Sequence, residues 1–573
     1  MSLRISREEW INRATIELSL GNKVSIDFWG TLCILKKTPE NIRLIVCEKL
    51  LSEFNLTGSS SDFLELYNRV SQGLRLISKA IYNESEYKAS DCWYVLGVIL
   101  FKSKDKANEF RNRAMSIEFE IFCSHSKVPQ KIAKWLGFMQ DQNNLIIISD
   151  FEHDSIFLNN IMIFHNIDLK IEIITSSESM LSKYSGSIFE DFKVRPTLHI
   201  GDNFDSDFKR AVKAGINSIL TKKSISFRIV SGAQKIGFFS QKTLFKIGVI
   251  LTIPFSMTRY VNCLLKLNIY WKSQVSKLMK NANVIVFVGS EGAFISQQFS
   301  SFELSQGSNT TYLCTNFGRG KILSAALQVN PVYVFSKLLL ENWSFMKICD
   351  FLGVANPNAS ILKGTKNINE IIDYLISAMV LSDVARENYL DIMSIFENKL
   401  DKILIVDIGY QGSFADGLQA LGFKNILVAQ MLGKYSTSST FNSNHAALGI
   451  KVRESIFDRT HPTLDTDLVE SFFSLGPRGV QLDNNLVKMQ DFVVKASLRR
   501  HKSETFSNLK LQKILLFPPR DFVKSLSKSV FHRDDLSNNF VHLENLPWSG
   551  NVEIRRLFWH MYLLKSYLLR LWH

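Results

Sequence analysis

No two cysteines in the 573 residues stand in a C-x-x-C pair, and the seven present (Cys33, Cys47, Cys92, Cys123, Cys263, Cys314, Cys349) are scattered and odd in number. That pattern argues against a disulfide framework and against a zinc ribbon, and it fits a reducing cytoplasm. The eleven histidines form no H-x-x-x-H or H-E-x-x-H cluster, and no G-x-S-x-G is present, so a zinc-dependent protease and a serine hydrolase are both disfavoured. The most apolar interior stretch, IGVILTIPFSM at 247–257, is bounded by Lys246 and Arg259 and interrupted by Pro254. A membrane span needs about 20 apolar residues, so this stretch is expected in a core or an interface. The N-terminal MSLRISREEWINRATIELSL lacks the apolar run and small-residue cleavage site of a secretory signal, and no export is expected. Internal repeats, low-complexity tracts, zinc-finger spacing, RNP motifs and continuous basic runs are missing as well, which leaves no sequence-specific nucleic-acid module.

What is present is a globular composition, 46% hydrophobic and 21% charged, with 42 phenylalanines. The length exceeds one ordinary core of about 100–200 residues, so two or three domains are expected. Lys and Arg outnumber Asp and Glu by 68 to 54, a net charge of +14, which favours anionic partners.

Three β-rich runs dominate the first 220 residues: KVSIDF (23–28), NLIIISD (144–150) and PTLHIGD (196–202). Continuous apolar runs of this kind suit a parallel sheet covered on both faces, with ligands bound beyond the C-terminal strand ends. Asp27, Ser149 and Asp202 would then share one rim. Residues 35–140 carry apolar positions at three- and four-residue spacing, a helical insertion over that rim. A second series, NVIVFVGSEG (283–292), TTYLCTNFG (310–318) and KILIVDIGYQGS (402–413), predicts a second α/β domain.

The first series resembles the haloacid dehalogenase (HAD) superfamily. Its first motif, a strand ending D-x-x-x-T-[LV], matches IDFWGTL at Asp27 and Thr31; its second matches LIIIS at Ser149. The third-motif lysine corresponds to Lys183 in MLSKYSGSIF, and G-D-x-x-x-x-D matches HIGDNFDSD through Asp202 and Asp207. The resemblance implies Asp27 as a carboxylate nucleophile, Thr31, Ser149 and Lys183 as phosphate ligands, and Mg²⁺ held by Asp27, the Trp29 carbonyl, Asp202 and Asp207. Such chemistry splits one hard transfer into two easier steps, and Mg²⁺ commonly takes one or two protein carboxylates beside phosphate oxygens and waters. In HAD phosphatases the residue two places after the nucleophile is a second Asp that exchanges protons; here it is Trp29, whose indole cannot. General acid–base help is typically worth about 10²–10⁴-fold, so classical phosphomonoesterase activity is expected to be slow.

The runs SIEFEIFC, SSESMLSKYSGSIF and HIGDNFDSDFKRAVKAGI look like a bacterial HAD-like subgroup encoded with capsule and O-antigen glycosyltransferases, often aromatic at the place of Trp29. VIVFVGSEGAF, TYLCTNFGRG, IVDIGYQGS and LVESFFSLGPRG extend the likeness, although Ser290 and Asn316-Phe317-Gly318 stand where that subgroup has arginines. These segments make Glu291, Arg319, Asp407, Gly409, Gly412, Ser413 and Glu470 a candidate second site for a sugar phosphate or nucleotide-sugar. Ordinary turn chemistry at a strand end explains Asp and Gly equally well.

The chain is therefore expected to be α/β: a HAD-like Rossmannoid domain at 1–223 with a helical cap at about 35–140, basic and aromatic connecting helices at 224–280, a second α/β domain at 281–484, and a basic helical region at 485–573. In the last, Leu557, Met561, Leu564, Leu568 and Leu571 form a stripe opposite Arg555, Ser566 and Arg570, suited either to core packing or to an anionic membrane surface. The expected function is a Mg²⁺-dependent HAD-like enzyme of surface-polysaccharide biosynthesis, cytoplasmic or peripheral on the inner face of the cytoplasmic membrane, acting on a phosphorylated sugar or related metabolite. The alternatives are a glycosyl- or sugar-phosphate transferase in the C-terminal half, and a pseudoenzyme scaffold for partner glycosyltransferases.

Overall fold

The computed structural model describes residues 4–56, 58–139, 142–168, 170–191, 195–221, 257–288, 295–299, 310–314, 319–354, 357, 362, 368–396, 401–407, 413–434, 445–452, 488, 530–534 and 539–542. Glu291, Gly409, Gly412, Glu470 and the C-terminal stripe at 555–571 lie outside the described residues, as do 247–256 of the apolar stretch. The chain divides into two compact units, Met1–Lys235 with Val332–Val380, and Ile236–Pro331 with Leu381–His573.

The first unit is built on a six-stranded, all-parallel sheet. Its strands are β1 (Arg4–Ile5), β2 (Val24–Asp27), β5 (Leu145–Ser149), β6 (Glu172–Thr175), β7 (Leu198–Gly201) and β8 (Asn217–Thr221), in the order β1-β8-β7-β2-β5-β6. β2, β5 and β7 are buried along their whole length, which is why each reads as an unbroken apolar run. From β2 the chain builds outward through β5 and β6, then returns to the other side through β7 and β8. The order therefore reverses between β2 and β7, where open α/β sheets bind ligands. Helix α1 (Arg7–Ser19) opens on a capping box: the Ser6 side chain accepts from the Glu9 N–H at 3.4 Å, and Glu9 Oε2 accepts from the Ser6 N–H at 2.6 Å.

Between β2 and β5 a short antiparallel pair, β3 (Ile34–Leu35) and β4 (Ser126–Lys127), forms the stem of the helical insertion. The insertion holds α2 (Pro39–Glu53), α3 (Ser60–Tyr82), α4 (Ala89–Phe101) and α5 (Lys104–His125). α4 is buried at almost every position, so it is the insertion's central helix. After β4, α6 (Gln130–Met139) leads into β5; it packs on α1 through Trp135, whose ring lies 5.6 Å from that of Trp10.

One domain boundary differs from expectation. Residues Val332–Val380, expected in the second α/β domain, cluster with the first unit. The helix Pro331–Leu340 is buried from Val332 to Leu340, so it cannot rest on one apolar surface alone. α3 supplies part of its surroundings: a Cβ placed on Gly73 would overlap the Leu339 carbonyl. Tyr82 Oη donates to the Leu362 carbonyl at 3.2 Å, and the Ile368 N–H donates to Asp91 Oδ2 at 3.3 Å.

The second unit has its own parallel sheet, in the order β10-β9-β11-β12-β13, from β9 (Val284–Val288), β10 (Thr310–Cys314), β11 (Ile403–Asp407), β12 (Ile426–Lys434) and β13 (His445–Val452). Val284, Val286, Ile403, Ile405, Phe414 and Leu418 share its core. The region 485–573, expected to be helical, contains an antiparallel strand pair instead, β14 (Val530–Asp534) and β15 (Asn539–His542). Valine and phenylalanine in both segments favour strands over a helix.

Candidate active site

Asp27 ends β2, Ser149 ends β5, and Gly201 at the end of β7 hands the chain to Asp202, so three strand tips bring their residues to the point where the sheet order reverses. Asp27, Ser149, Lys183 and Asp207 are buried, while Asp202 is partly open. Carboxylate oxygens of Asp27, Asp202 and Asp207 all lie within 4.8 Å of one another. Lys183 Nζ donates to Asp27 Oδ1 at 2.5 Å and to Asp207 Oδ1 at 2.7 Å, and Thr31 Oγ1 donates to Asp27 Oδ2 at 3.4 Å.

Two glycines make room for this cluster. Gly30 has φ +87°, a left-handed conformation, and a Cβ there would stand 2.6 Å from Asp202 Oδ2. A Cβ on Gly201 would overlap the Asp207 carboxyl group. Asp207 reaches back to β7 because residues Phe204–Lys209 form a π-helical turn, whose start is capped by Asn203: its side-chain oxygen accepts from the Asp205 and Ser206 N–H groups at 3.0 and 3.4 Å. The Asn203 N–H in turn donates to Asp207 Oδ2 at 2.9 Å.

The electrostatics follow from three acids sharing one base. Burial pushes the Asp27 carboxyl well above its ordinary range, and the charges of Asp207 and Asp202 add to that, outweighing the pull of Lys183. Burial acts the same way on Asp207, but Lys183 and His199 outweigh it and hold that carboxyl below the ordinary range. Lys183 is kept protonated against its own burial by Asp207, Asp27 and Asp150. His199, buried on β7, is depressed by desolvation and stays neutral. Its Nε2–H then donates to the ionised Asp207 at 3.3 Å while Nδ1 accepts from Ser25 Oγ at 2.7 Å.

Trp29 points into an aromatic cluster. Its ring lies 4.8 Å from Phe28, 5.6 Å from Phe122 of α5 and 5.4 Å from Phe151 after β5. Its Nε1 is buried without a hydrogen-bond partner among the described residues. The cluster continues through Phe157 to His153, stacked at 3.9 Å, and His153 Nε2 lies 3.5 Å from Glu118 of α5, which also accepts from Trp93 Nε1 at 2.8 Å. Trp29 is thus spent on packing the insertion against the sheet.

Sequence reasoning missed Asp150, His199, Ser25 and Glu84. Asp150 binds the backbone of the Lys183 loop, and Glu84, between α3 and α4, accepts from Ser182 Oγ at 3.2 Å and Ser185 Oγ at 2.7 Å on the same loop. An acid directly after the strand-end serine was a legible signal for Asp150; nothing in the sequence links Glu84 to a loop a hundred residues later. Of the second candidate site, Asp407 ends β11 beside β9, and Ser413 and Arg319 begin the helices Ser413–Ala420 and Arg319–Ala326.

No family model and no curated protein matches the chain. Among solved structures, a hydrolase from Streptococcus pneumoniae TIGR4 aligns over 37% of this chain and 98% of its own, with 16% identity and a TM-score of 0.18. Among the described residues no helix is long and apolar enough to cross a membrane.

Proposed function

We propose that the first unit is a HAD-like enzyme that transfers or hydrolyses a phosphoryl group through Asp27. Its substrate would be a phosphorylated sugar or related metabolite of bacterial surface-polysaccharide assembly. The observation that carries this reading is the convergence of Asp27, Lys183, Asp202 and Asp207, from three separated segments, on one point.

The donor set suits a divalent cation: three acids face one ammonium, and glycine at position 30 keeps the space beside Asp202 open. Asp27, Asp202 and Asp207 would hold Mg²⁺, which when bound supplies positive charge to the phosphoryl oxygens. Asp27 then attacks phosphorus, the bond to the leaving oxygen breaks, and water later cleaves the aspartyl-phosphate to release phosphate and restore Asp27. Lys183 neutralises charge on the equatorial oxygens, and Thr31 and Ser149 offer hydroxyl donors. Because Trp29 cannot protonate a leaving alkoxide, substrates whose leaving oxygen departs as a stable anion, such as acyl phosphates or phosphoanhydrides, react best.

Phosphate release from a panel of acyl phosphates, sugar diphosphates and alkyl monoesters, with Mg²⁺ and with Asp27→Asn as control, tests this. Turnover that survives the Asn substitution would refute Asp27 as the nucleophile.

One observation favours a second reading, transfer of an activated sugar by the other unit. Its strand order reverses between β9 and β11, so Asp407 sits where parallel sheets bind ligands. Protection of that unit by a nucleotide-sugar, lost in Asp407→Ala, would favour transfer.

A further inference from the structure

Asp150 follows the buried Ser149, yet it is exposed at the rim of the site. Its two carboxylate oxygens are both engaged: Oδ1 accepts from the Lys183 N–H at 2.7 Å and Oδ2 from the Tyr184 N–H at 3.1 Å. Two successive backbone N–H groups converging on one anion form a small concavity of the kind that binds phosphate elsewhere, here filled by a side chain from the neighbouring strand end. Directly beyond that concavity the lysine side chain runs inward to Asp27 and Asp207.

A lysine side chain has many rotamers, and its ammonium is a point charge on a flexible stem, so fixing its backbone is what makes its tip reproducible. The rest of the loop is tied to itself and, through Ser182 and Ser185, to Glu84 of the insertion. Ser187 Oγ accepts from the Ser182 N–H at 3.0 Å, Ser182 Oγ from the Ser185 N–H at 3.1 Å, and the Gly186 N–H donates to the Ser182 carbonyl at 3.1 Å. Those bonds shape the loop but do not fasten it to the sheet. Asp150 does so at the lysine itself.

We propose that Asp150 is a positioning residue: it locks the Lys183 backbone to the end of β5 so that Nζ meets the phosphoryl group bound at Asp27. The proposal rests on the phosphoryl-transfer reading above and adds a residue to it.

The test is calorimetric titration of the full-length protein with tungstate, a phosphoryl mimic, in Mg²⁺, using Asp150→Ala, Asp150→Asn, Lys183→Ala and the Asp150→Ala/Lys183→Ala double variant. Asp150→Ala should weaken binding about tenfold, and Asp150→Asn, which keeps one carbonyl acceptor, by less. In the Lys183→Ala background the same Asp150→Ala change should cost under about twofold, because the residue through which it acts is gone. Equal losses in both backgrounds, or no loss in either, would overturn the proposal. If Asp150→Ala does not fold, Asp150→Asn carries the same comparison against Lys183→Ala. Failure of the unaltered protein to bind tungstate would instead count against the phosphoryl-transfer reading, and this inference would fall with it.

Discussion

Lys183 Nζ stands 2.5 Å from Asp27 Oδ1 although 156 positions separate the two residues along the chain. Both are buried, and the same ammonium reaches Asp207 at 2.7 Å, so one cation holds two carboxylates together at the strand ends of the sheet. Removing one partner of such a set leaves uncompensated buried charge, which typically costs about 3–5 kcal/mol.

Lys183→Met is therefore expected to lower the unfolding free energy by an amount in that range, read as a lower urea midpoint. Added Mg²⁺ should recover part of the loss, because it would screen the carboxylates that the lysine no longer faces. Urea titrations with and without Mg²⁺ check this, and an unchanged midpoint would show that the lysine is not what balances the pair.

Trp29→Asp would supply a second carboxylate two places after Asp27, but places it among Phe28, Phe122 and Phe151. The expected outcome is a loss of about 3 kcal/mol or more with no gain in alkyl-phosphate hydrolysis, whereas Trp29→Phe loses less. Thermal unfolding and a monoesterase assay on the two variants distinguish packing from chemistry at this residue.

Gly73→Ala should destabilise the first unit. In an ordinary helix interior that exchange stabilises by about 1 kcal/mol, but here the added Cβ would meet the Leu339 carbonyl. A lower melting temperature supports the packing of Pro331–Leu340 against α3; a higher one would place that helix elsewhere.

Burial raises the Asp91 carboxyl to about 7, opposed by Lys88 and by the bond from the Ile368 N–H. Between about pH 4 and pH 7 the folded chain holds this proton and the unfolded chain does not, so this group's contribution to stability falls as pH rises and is fully lost above pH 7. Asp91→Asn removes that slope. Its melting temperature should exceed that of the unaltered protein at pH 8 and match it near pH 4, as a pH series of melting curves will test.

How much of this was legible in the sequence depended on burial. β2, β5 and β7 are covered on both faces and stand out as apolar runs; β2 and β5 end on residues of the site, and β7 ends one residue before Asp202. β1, two residues long, and β6, half exposed, carry no comparable signal. Of the three acids and the lysine, Asp27 and Asp202 could be picked out at strand ends, whereas Lys183 and Asp207 were marked only by the resemblance to HAD motifs. The supporting residues could not, since the Glu84 and His199 contacts depend on how the insertion and the π-helical turn fold back. The placement of Val332–Val380 escaped for a related reason: an apolar helix announces burial but not which core buries it.

The central claim is that Asp27 accepts a phosphoryl group, and beryllofluoride, which mimics one on a carboxylate, probes it without knowledge of the substrate. In ¹⁹F NMR with Mg²⁺, the unaltered protein should give a protein-bound beryllofluoride resonance that disappears in Asp27→Asn. A bound resonance that persists in Asp27→Asn, or none at all in the unaltered protein, would contradict the account.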